Sequence, residues 1–255
     1  MRSDNVSERM QRSPRLGVSI VILTLGCCTA KNGQAVSCAD GDQKAIGTYQ
    51  KNQSSIHGSC RRELWLPLVK RIREPFKGAW ALPGGELKIG RSLEQSALDA
   101  LESTTRLRPK YLEQLHTFGD PGRSHTGLPT VSIVYWALVE PTHIPLISGE
   151  ENVQWFPESE LPDLAFDHGD IIAYALRQLR HKVAYPDIVT KLVGEEFTLG
   201  ELHSVYQAVT QKRIDLPNFR RKMHASGELE KTGKQRKEGR QRPAALYRYR
   251  AHEHC

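Results

Sequence analysis

The sequence has few of the features that mark metal-binding, disulfide-rich or membrane-spanning proteins. Its 255 residues include five cysteines, an odd number at irregular spacing, with no Cys-x-x-Cys pair and no Cys/His set at zinc spacing. The longest apolar stretch, residues 16–28, is too short and too polar to cross a bilayer. We therefore expect reduced thiols, no metal site, no membrane association and a cytoplasmic location.

The same apolar stretch has two interpretations. It follows a basic N-terminus and ends in Leu25-Gly26-Cys27, which faintly suggests a signal peptide or a lipoprotein cleavage site. Residues 18–25 are also rich in β-branched side chains, a composition typical of a buried strand. We expect the strand, because nothing downstream is typical of a secreted chain.

Apolar residues make up 38% of the chain and charged residues 25%, enough to bury a core. Alternating strand and helix patterns then predict an α/β fold. The predicted strands cover residues 18–25, 63–69, 111–117 and 130–139, and the predicted helices cover residues 92–105 and 167–182. We expect a disordered N-terminus (residues 1–15), an α/β domain (16–184) with a loop insert at 31–59, and a second domain (185–255) that begins near Tyr185-Pro186.

Positive charge is concentrated near the C-terminal end. The whole chain has a net charge of +7, yet residues 212–250 alone contain thirteen Lys and Arg against four acidic residues. The remainder is therefore slightly acidic. This asymmetry predicts a polyanionic partner for the C-terminal domain.

The motif Leu82-Pro83-Gly84-Gly85, followed by a helix, resembles the Nudix family. In that family a glycine turn precedes a helix whose glutamates converge on divalent metal. Aligned on Gly85, the first of these glutamates becomes Arg91, and the later glutamates fall on Ala100 and on Ser103-Thr104. Because a methyl group and hydroxyls cannot replace anionic ligands for Mg²⁺, we expect no hydrolysis and no cofactor. Asp99 with Glu102, or Glu86, remains an alternative carboxylate set.

Further motifs at residues 75–80, 118–121 and 164–168 look like the Nudix branch that handles ADP-ribose. The resemblance implies a cleft that offers an aromatic face to adenine and donors to a pyrophosphate. The candidate ligand-binding residues are Arg71, Arg73, Trp80, Gly84, Gly85, Phe118, Asp120, Phe166 and His168.

The C-terminal region has the pattern of a winged helix-turn-helix. Thr198 and Glu201 form a capping box, and Asp215 with Pro217 starts a second helix on which Phe219 and Met223 point inward. A basic loop between two short strand patterns predicts a wing. The alternative is a solvated charged helix followed by a loose basic tail. The candidate DNA-binding residues are Thr198, Asn218, Arg220, Arg221, Lys222, His224, Lys234, Arg236, Lys237, Arg240 and Arg242.

Together the two halves resemble the NrtR family, bacterial Nudix-related repressors of NAD biosynthesis genes. Residues 197–202, 218–222 and 242–248 carry the match in the second half. The expected fold is a Nudix-like α/β/α sandwich with a mixed sheet, followed by a winged helix-turn-helix domain. The resemblance implies a nucleoid-associated homodimer on a palindromic operator in double-stranded DNA, released when ADP-ribose or a related nucleotide effector binds. Two alternatives remain, namely an active Nudix pyrophosphatase of ADP-ribose-like nucleotides with an accessory nucleic-acid-binding tail, and a non-specific nucleic-acid-binding protein.

Overall fold

The strand expected at residues 18–25 is confirmed and is longer than predicted. The computed structural model of the chain describes residues 14–27, 62–106, 109, 111–123, 129–139, 152–183, 186–237 and 243–250. In it, β1 runs over Arg15–Cys27. The N-terminal residues 1–13, the expected insert at 31–59 and four of the five cysteines lie outside the described residues, so those predictions stay untested.

Seven strands form one mixed sheet in the order β3-β2-β1-β6-β5, with β4 paired to β1 and β7 paired to β2. Only β1 and β6 run parallel among these pairs, and the others are antiparallel. After β1, the strands are β2 (Arg62–Lys70), β3 (Trp80–Ala81), β4 (Gly84–Glu86), β5 (Tyr111–Phe118), β6 (Thr130–Leu138) and β7 (Val153–Pro157).

Alternate residues of β1 enter two separate cores, as the two-residue period of a strand requires. Val18, Ile20 and Ile22 belong to an apolar cluster on the face covered by helix α1 (Leu93–Thr105). Val21 and Leu23 belong to a second cluster, on the face covered by helix α2 (His168–Lys182). The sheet therefore lies between two helices, and the predicted α/β/α sandwich is confirmed.

Both helices follow their sequence patterns. Ser92 caps α1 in a capping box with Gln95, and Ala97 and Leu101 are fully buried on its inner face. In α2 the buried residues include the five predicted ones, Ile171, Ile172, Ala175, Leu176 and Leu179. The short strands β3 and β4 were not predicted, and the glycines expected to form a turn lie in β4 instead.

The C-terminal residues form a winged helix. Its elements are α3 (Pro186–Val193), β8 (Phe197–Thr198), α4 (Leu199–Thr210), α5 (Leu216–Ala225), β9 (Leu229–Arg236) and β10 (Ala244–Tyr249). The three strands form a sheet in the order β8-β10-β9. Leu202, Val205 and Val209 of α4 belong to the same continuous apolar cluster as the buried residues of α2 and β2.

The division of the chain near Tyr185-Pro186 stays a prediction, because residues 184–185 lie outside the described part. Among the residues that the structure describes, no helix is long and apolar enough to cross a membrane.

Candidate functional site

Residues 164–168, which lead into α2, contact several of the residues predicted to bind a ligand. Leu164 forms a parallel bridge with Trp80, and the Ala165 N–H donates to the Trp80 carbonyl at 2.8 Å. Next along the chain, the Phe166 ring lies 4.6 Å from the Arg71 guanidinium. We call residues 164–168 the hub segment, because it connects the loop after β2, strand β3 and the start of α2.

Arg71 and Phe166 place a cation against an aromatic face. The Arg71 Nε donates to the Pro75 carbonyl at 2.8 Å, and the Phe76 ring packs edge-on against Phe166 with centroids 4.9 Å apart. Burial lowers the pKa of Arg71, but an arginine keeps its charge at neutral pH. A guanidinium and an aromatic ring are suitable partners for a phosphate and an adenine. Phe166 has a positive φ of 58°, an uncommon conformation for an aromatic residue.

His168 is buried and supports the segment before β4. Its Nδ1 accepts a hydrogen bond from the Leu82 N–H at 2.9 Å. Burial lowers the pKa of His168 to about 4, so the ring is neutral at pH 7. An imidazole in this state holds the Leu82–Gly85 main chain by a neutral hydrogen bond and offers no positive charge to a pyrophosphate. Its direct contact with a ligand stays a prediction.

Arg123 holds the other side of the hub segment, and sequence reasoning missed it. Its guanidinium pairs with both carboxylate oxygens of Asp167 at 2.8 and 2.9 Å and also donates to the Phe118 carbonyl. Only 8% of the Arg123 side chain is exposed. Burial alone would raise the pKa of Asp167, but the hydrogen bonds and charge of Arg123 outweigh it and lower that pKa. No local pattern indicates this pair, whose members are 44 positions apart.

The other candidates differ in exposure. Trp80 packs edge-on against Phe156, and Phe118 packs edge-on against Tyr174 of α2, so both rings are half-buried next to the core. In contrast, Arg73 and Asp120 are exposed. The structure thus gathers Arg71, Trp80, Phe166 and His168 directly at the hub segment. Phe118 joins them only through Arg123, and no described contact connects Arg73 or Asp120 to that segment by its side chain.

Gly84 is constrained by its neighbour strand. A Cβ at Gly84 would lie 2.4 Å from the Val18 carbonyl oxygen of β1, closer than real Cβ atoms approach. A Cβ at Gly85 would meet nothing within 4 Å. Gly84 therefore allows β4 to pair closely with β1, whereas the exposed Gly85 leaves open space in front of the strand.

In helix α1, where the Nudix family has its metal ligands, the Asp99 carboxylate is already paired with cations. Asp99 pairs with Arg91 at 3.5 Å and with Lys88 at 3.9 Å, and the Ser103 hydroxyl donates to the Ala100 carbonyl. Within the described ranges, no group of three or more His, Cys, Asp or Glu side chains is arranged to hold a metal ion.

The predicted recognition helix is α5. Asp215 caps it by accepting from the Asn218 N–H at 2.9 Å, and Pro217 lies in its first turn. Phe219 and Met223 are buried, as predicted. The polar candidates on this helix are all exposed, namely Asn218, Arg220, Arg221, Lys222 and His224. The Asn218 carboxamide accepts from Arg221, so these two side chains form one polar group on the outer surface.

Two candidates in the wing region have intramolecular roles. Thr198 is 7% exposed and its hydroxyl caps α4 by accepting from the Glu201 N–H at 3.1 Å. Its predicted contact with DNA stays a prediction, and in the structure the hydroxyl serves the cap of α4. Arg236 donates to the Glu201 carboxylate at 2.7 Å and joins β9 to the same cap.

The wing strands also carry exposed cations. Lys237 is exposed beyond β9, and Lys234 is exposed while paired with Glu196 at 2.9 Å. The predicted contacts Arg240 and Arg242 lie outside the described residues.

Comparison with known proteins finds a match for the Nudix-like part and another for the winged helix. Residues 58–176 match the family described as the NUDIX domain, and residues 189–249 match the NrtR DNA-binding winged helix domain. The chain is 33% identical over 222 residues to the "ADPR responsive transcriptional repressor NtrR" of Acinetobacter baylyi, covering 82% of this chain and 88% of that protein. It is also 30% identical over 136 residues to an ADP-ribose pyrophosphatase of Methanocaldococcus jannaschii, covering 53% of this chain and 80% of that protein.

A crystal structure of Shewanella oneidensis NrtR complexed with a 27mer DNA has the same architecture. It is 31% identical to this chain and superposes with a TM-score of 0.69, covering 92% of this chain and 93% of that one. The similarity extends over the Nudix-like sheet and the winged helix together. The chain therefore belongs to the NrtR family of Nudix-related transcriptional regulators.

Proposed function

We propose that this chain is a transcriptional repressor of NAD biosynthesis or salvage genes that releases DNA when its Nudix domain binds ADP-ribose or a related NAD metabolite. The observation that carries the proposal is the exposed cationic face of α5 in a winged helix joined to a Nudix-like domain. Similarity to a repressor named as ADPR responsive, over 82% of this chain and 88% of that protein, supports both parts. Because it acts on DNA, we place the protein in the bacterial cytoplasm, with the nucleoid.

The effector would bind at the hub segment. The Arg71 guanidinium suits a pyrophosphate, and the aromatic rings of Phe166 and Phe76 suit an adenine. Gly85 leaves open space beside β4 into which a diphosphate can fit. The ligand-contact residues Arg73, Trp80, Phe118 and Asp120 belong to the same proposal.

On DNA, α5 would enter the major groove. Arg220, Arg221 and Lys222 would face base edges and phosphates, while Lys234 and Lys237 of the wing would lie along the backbone. We propose that two copies of the chain bind a palindromic operator with half-sites about one helical turn, or a multiple of it, apart.

We also propose that the Nudix domain does not hydrolyse its ligand and needs no cofactor. Two observations support this proposal. Asp99 is paired with Arg91 and Lys88, and Ala100 and Ser103 stand at positions where the family has glutamates. A sensor that leaves its signal intact suits a regulator. The second candidate, an active pyrophosphatase of ADP-ribose-like nucleotides, is favoured by the similarity to the Methanocaldococcus enzyme.

One pair of measurements separates the two functions. Operator binding is followed by mobility shift on the upstream region of an NAD-synthesis gene, with and without ADP-ribose. Turnover of ADP-ribose is measured with Mg²⁺ or Mn²⁺. A specific shift that ADP-ribose reverses, with no turnover, supports the repressor. Hydrolysis faster than about 1 per second without a specific shift would support the enzyme.

A further inference from the structure

Arg180, near the end of α2, connects the Nudix-like part to the winged helix. Its Nε donates to the Val209 carbonyl of α4 at 3.2 Å, and its guanidinium also pairs with Glu158 in the 3-10 helix (Glu158–Glu160) after β7. From the other side, the Gln211 carboxamide donates to Glu158 at 3.0 Å. We call Arg180, Glu158 and Gln211 the joint.

The joint is a partly desolvated contact. The Glu158 side chain is 13% exposed and that of Arg180 is 32% exposed. Burial outweighs the neighbouring cation and raises the pKa of Glu158, so this carboxylate depends on its partners to remain charged. Val209 lies in the last turn of α4, where helix carbonyls have no partner within the helix. Arg180 thus satisfies two groups that belong to different parts of the chain.

Helix α2 connects the joint to the hub segment. It begins at His168, directly after Asp167 and its pair with Arg123, and runs 15 residues to Lys182. A helix of this length spans roughly 22 Å and joins its two ends through one continuous hydrogen-bonded backbone. A change in the position of residues 166–168 therefore changes the position of Arg180.

Helix α4 connects the joint to the recognition helix. The Phe219 ring of α5 packs against His203 and Tyr206 of α4, with centroids 5.2 and 5.1 Å apart. The His203 Nε2 also lies 2.7 Å from the Ile214 carbonyl, in the segment that leads into α5. The orientation of α4 therefore determines that of α5.

We propose that Arg180, which pairs with Glu158 and donates to the Val209 carbonyl, is the positioning residue through which a nucleotide at the hub segment changes the orientation of α5. This inference rests on the proposed function, and it names the contact that transmits the signal. Allosteric coupling is a free energy that two sites share, so weakening the contact reduces the effect of one ligand on the other. Arg180 lies outside both proposed binding surfaces, so each ligand should bind alone as before.

The test measures a coupling factor in the full-length chain. This factor is the operator Kd with saturating ADP-ribose divided by the Kd without it, and typical values lie at about 5–150. Arg180→Met removes the joint from the α2 side. Gln211→Asn shortens the carboxamide from the α4 side while keeping a residue that tolerates the left-handed backbone found there (φ 55°). In both variants we expect the factor to fall at least about threefold toward 1, while each separate Kd stays within about threefold of wild type.

Arg177→Met is the matched control, because it removes one charge from the same helix at a side chain whose guanidinium lies over Tyr174. It should keep the wild-type factor, and Arg180→Lys, which retains one donor, should restore part of it. If Arg180→Met fails to fold, the coupling factor of Gln211→Asn alone decides whether the inference holds. An unchanged factor in Gln211→Asn, with normal separate affinities, would overturn the inference and leave the proposed function standing. Wild-type protein that binds no operator, or ignores ADP-ribose, would overturn the proposed function and this inference with it.

Discussion

At the scale of single residues, Gly84 and His168 determine how β4 is held. Gly84 allows β4 to approach β1, and His168 holds Leu82 two residues earlier in the chain. Neither role follows from the motif in which these residues occur. The ligand contacts predicted for the glycines and the histidine stay predictions, and their described contacts are with the protein itself.

Gly84→Ala should destabilise the protein by about 1–3 kcal/mol, because the new methyl group meets a main-chain oxygen that cannot yield without opening the β1–β4 pairing. Urea unfolding measures the change in the free energy of unfolding. Gly85→Ala is the control and should change it by less than about 0.5 kcal/mol, since open space surrounds that position. Equal stability of the two variants would contradict the close approach.

His168 should make the protein less stable in mild acid. Its folded-state pKa of about 4 lies below the ordinary value of 6.5, so the unfolded chain binds the proton more tightly. Its stabilising effect is complete above pH 6.5 and falls by up to about 3 kcal/mol as the pH drops to 4. Unfolding free energies measured across this window should decline less steeply in His168→Gln. Parallel curves for both proteins would refute the assignment.

At the scale of elements, long periodic segments were predictable from the sequence and short or paired ones were not. The β-branched apolar run of β1 and the apolar faces of α1 and α2 correspond to the observed cores. Strands β3 and β4 have two and three residues and therefore no detectable period. The pair Arg123–Asp167 and the joint also escaped prediction, because each depends on side chains that only the tertiary fold brings together.

Helix α5 carries the exposed arginines that we expect to contact DNA. Replacing Arg220 and Arg221 with Ala should abolish the operator shift, because both side chains are exposed on the face opposite the buried Phe219 and Met223. ADP-ribose binding, measured by calorimetry, should remain unchanged. Arg177→Ala removes an exposed arginine outside the winged helix and should shift DNA normally. Wild-type DNA affinity in the double variant would exclude α5 as the recognition helix.

At the scale of the whole molecule, the winged helix shares one continuous apolar cluster with the sheet and α2. A winged helix packed in this way cannot rotate independently of the Nudix-like part. The molecule therefore needs only two arrangements that differ in their affinity for nucleotide and operator.

Linkage makes this arrangement testable from the opposite direction. If ADP-ribose weakens operator binding by a given factor, saturating operator DNA should weaken ADP-ribose binding by the same factor. Titration of ADP-ribose into the free protein and into its operator complex provides both constants. A DNA fragment of equal length without the palindrome serves as the control. ADP-ribose affinity that is the same in the free protein and in the operator complex would show that the two sites are not linked.

The parallel pairing of β1 with β6 has a consequence for the order in which the chain folds. The first nine residues of β1, Arg15 to Leu23, are each paired with a residue 115 positions later, as Ile20 is with Tyr135. A newly synthesised chain cannot complete the central sheet until β6 has left the ribosome. Contacts so distant along the chain make folding slow, whereas the described strand pairs of the winged helix join residues no more than 50 positions apart. We therefore expect the winged helix to fold quickly once it is synthesised. Assembly of the seven-stranded sheet should be the slowest step in folding of the whole chain.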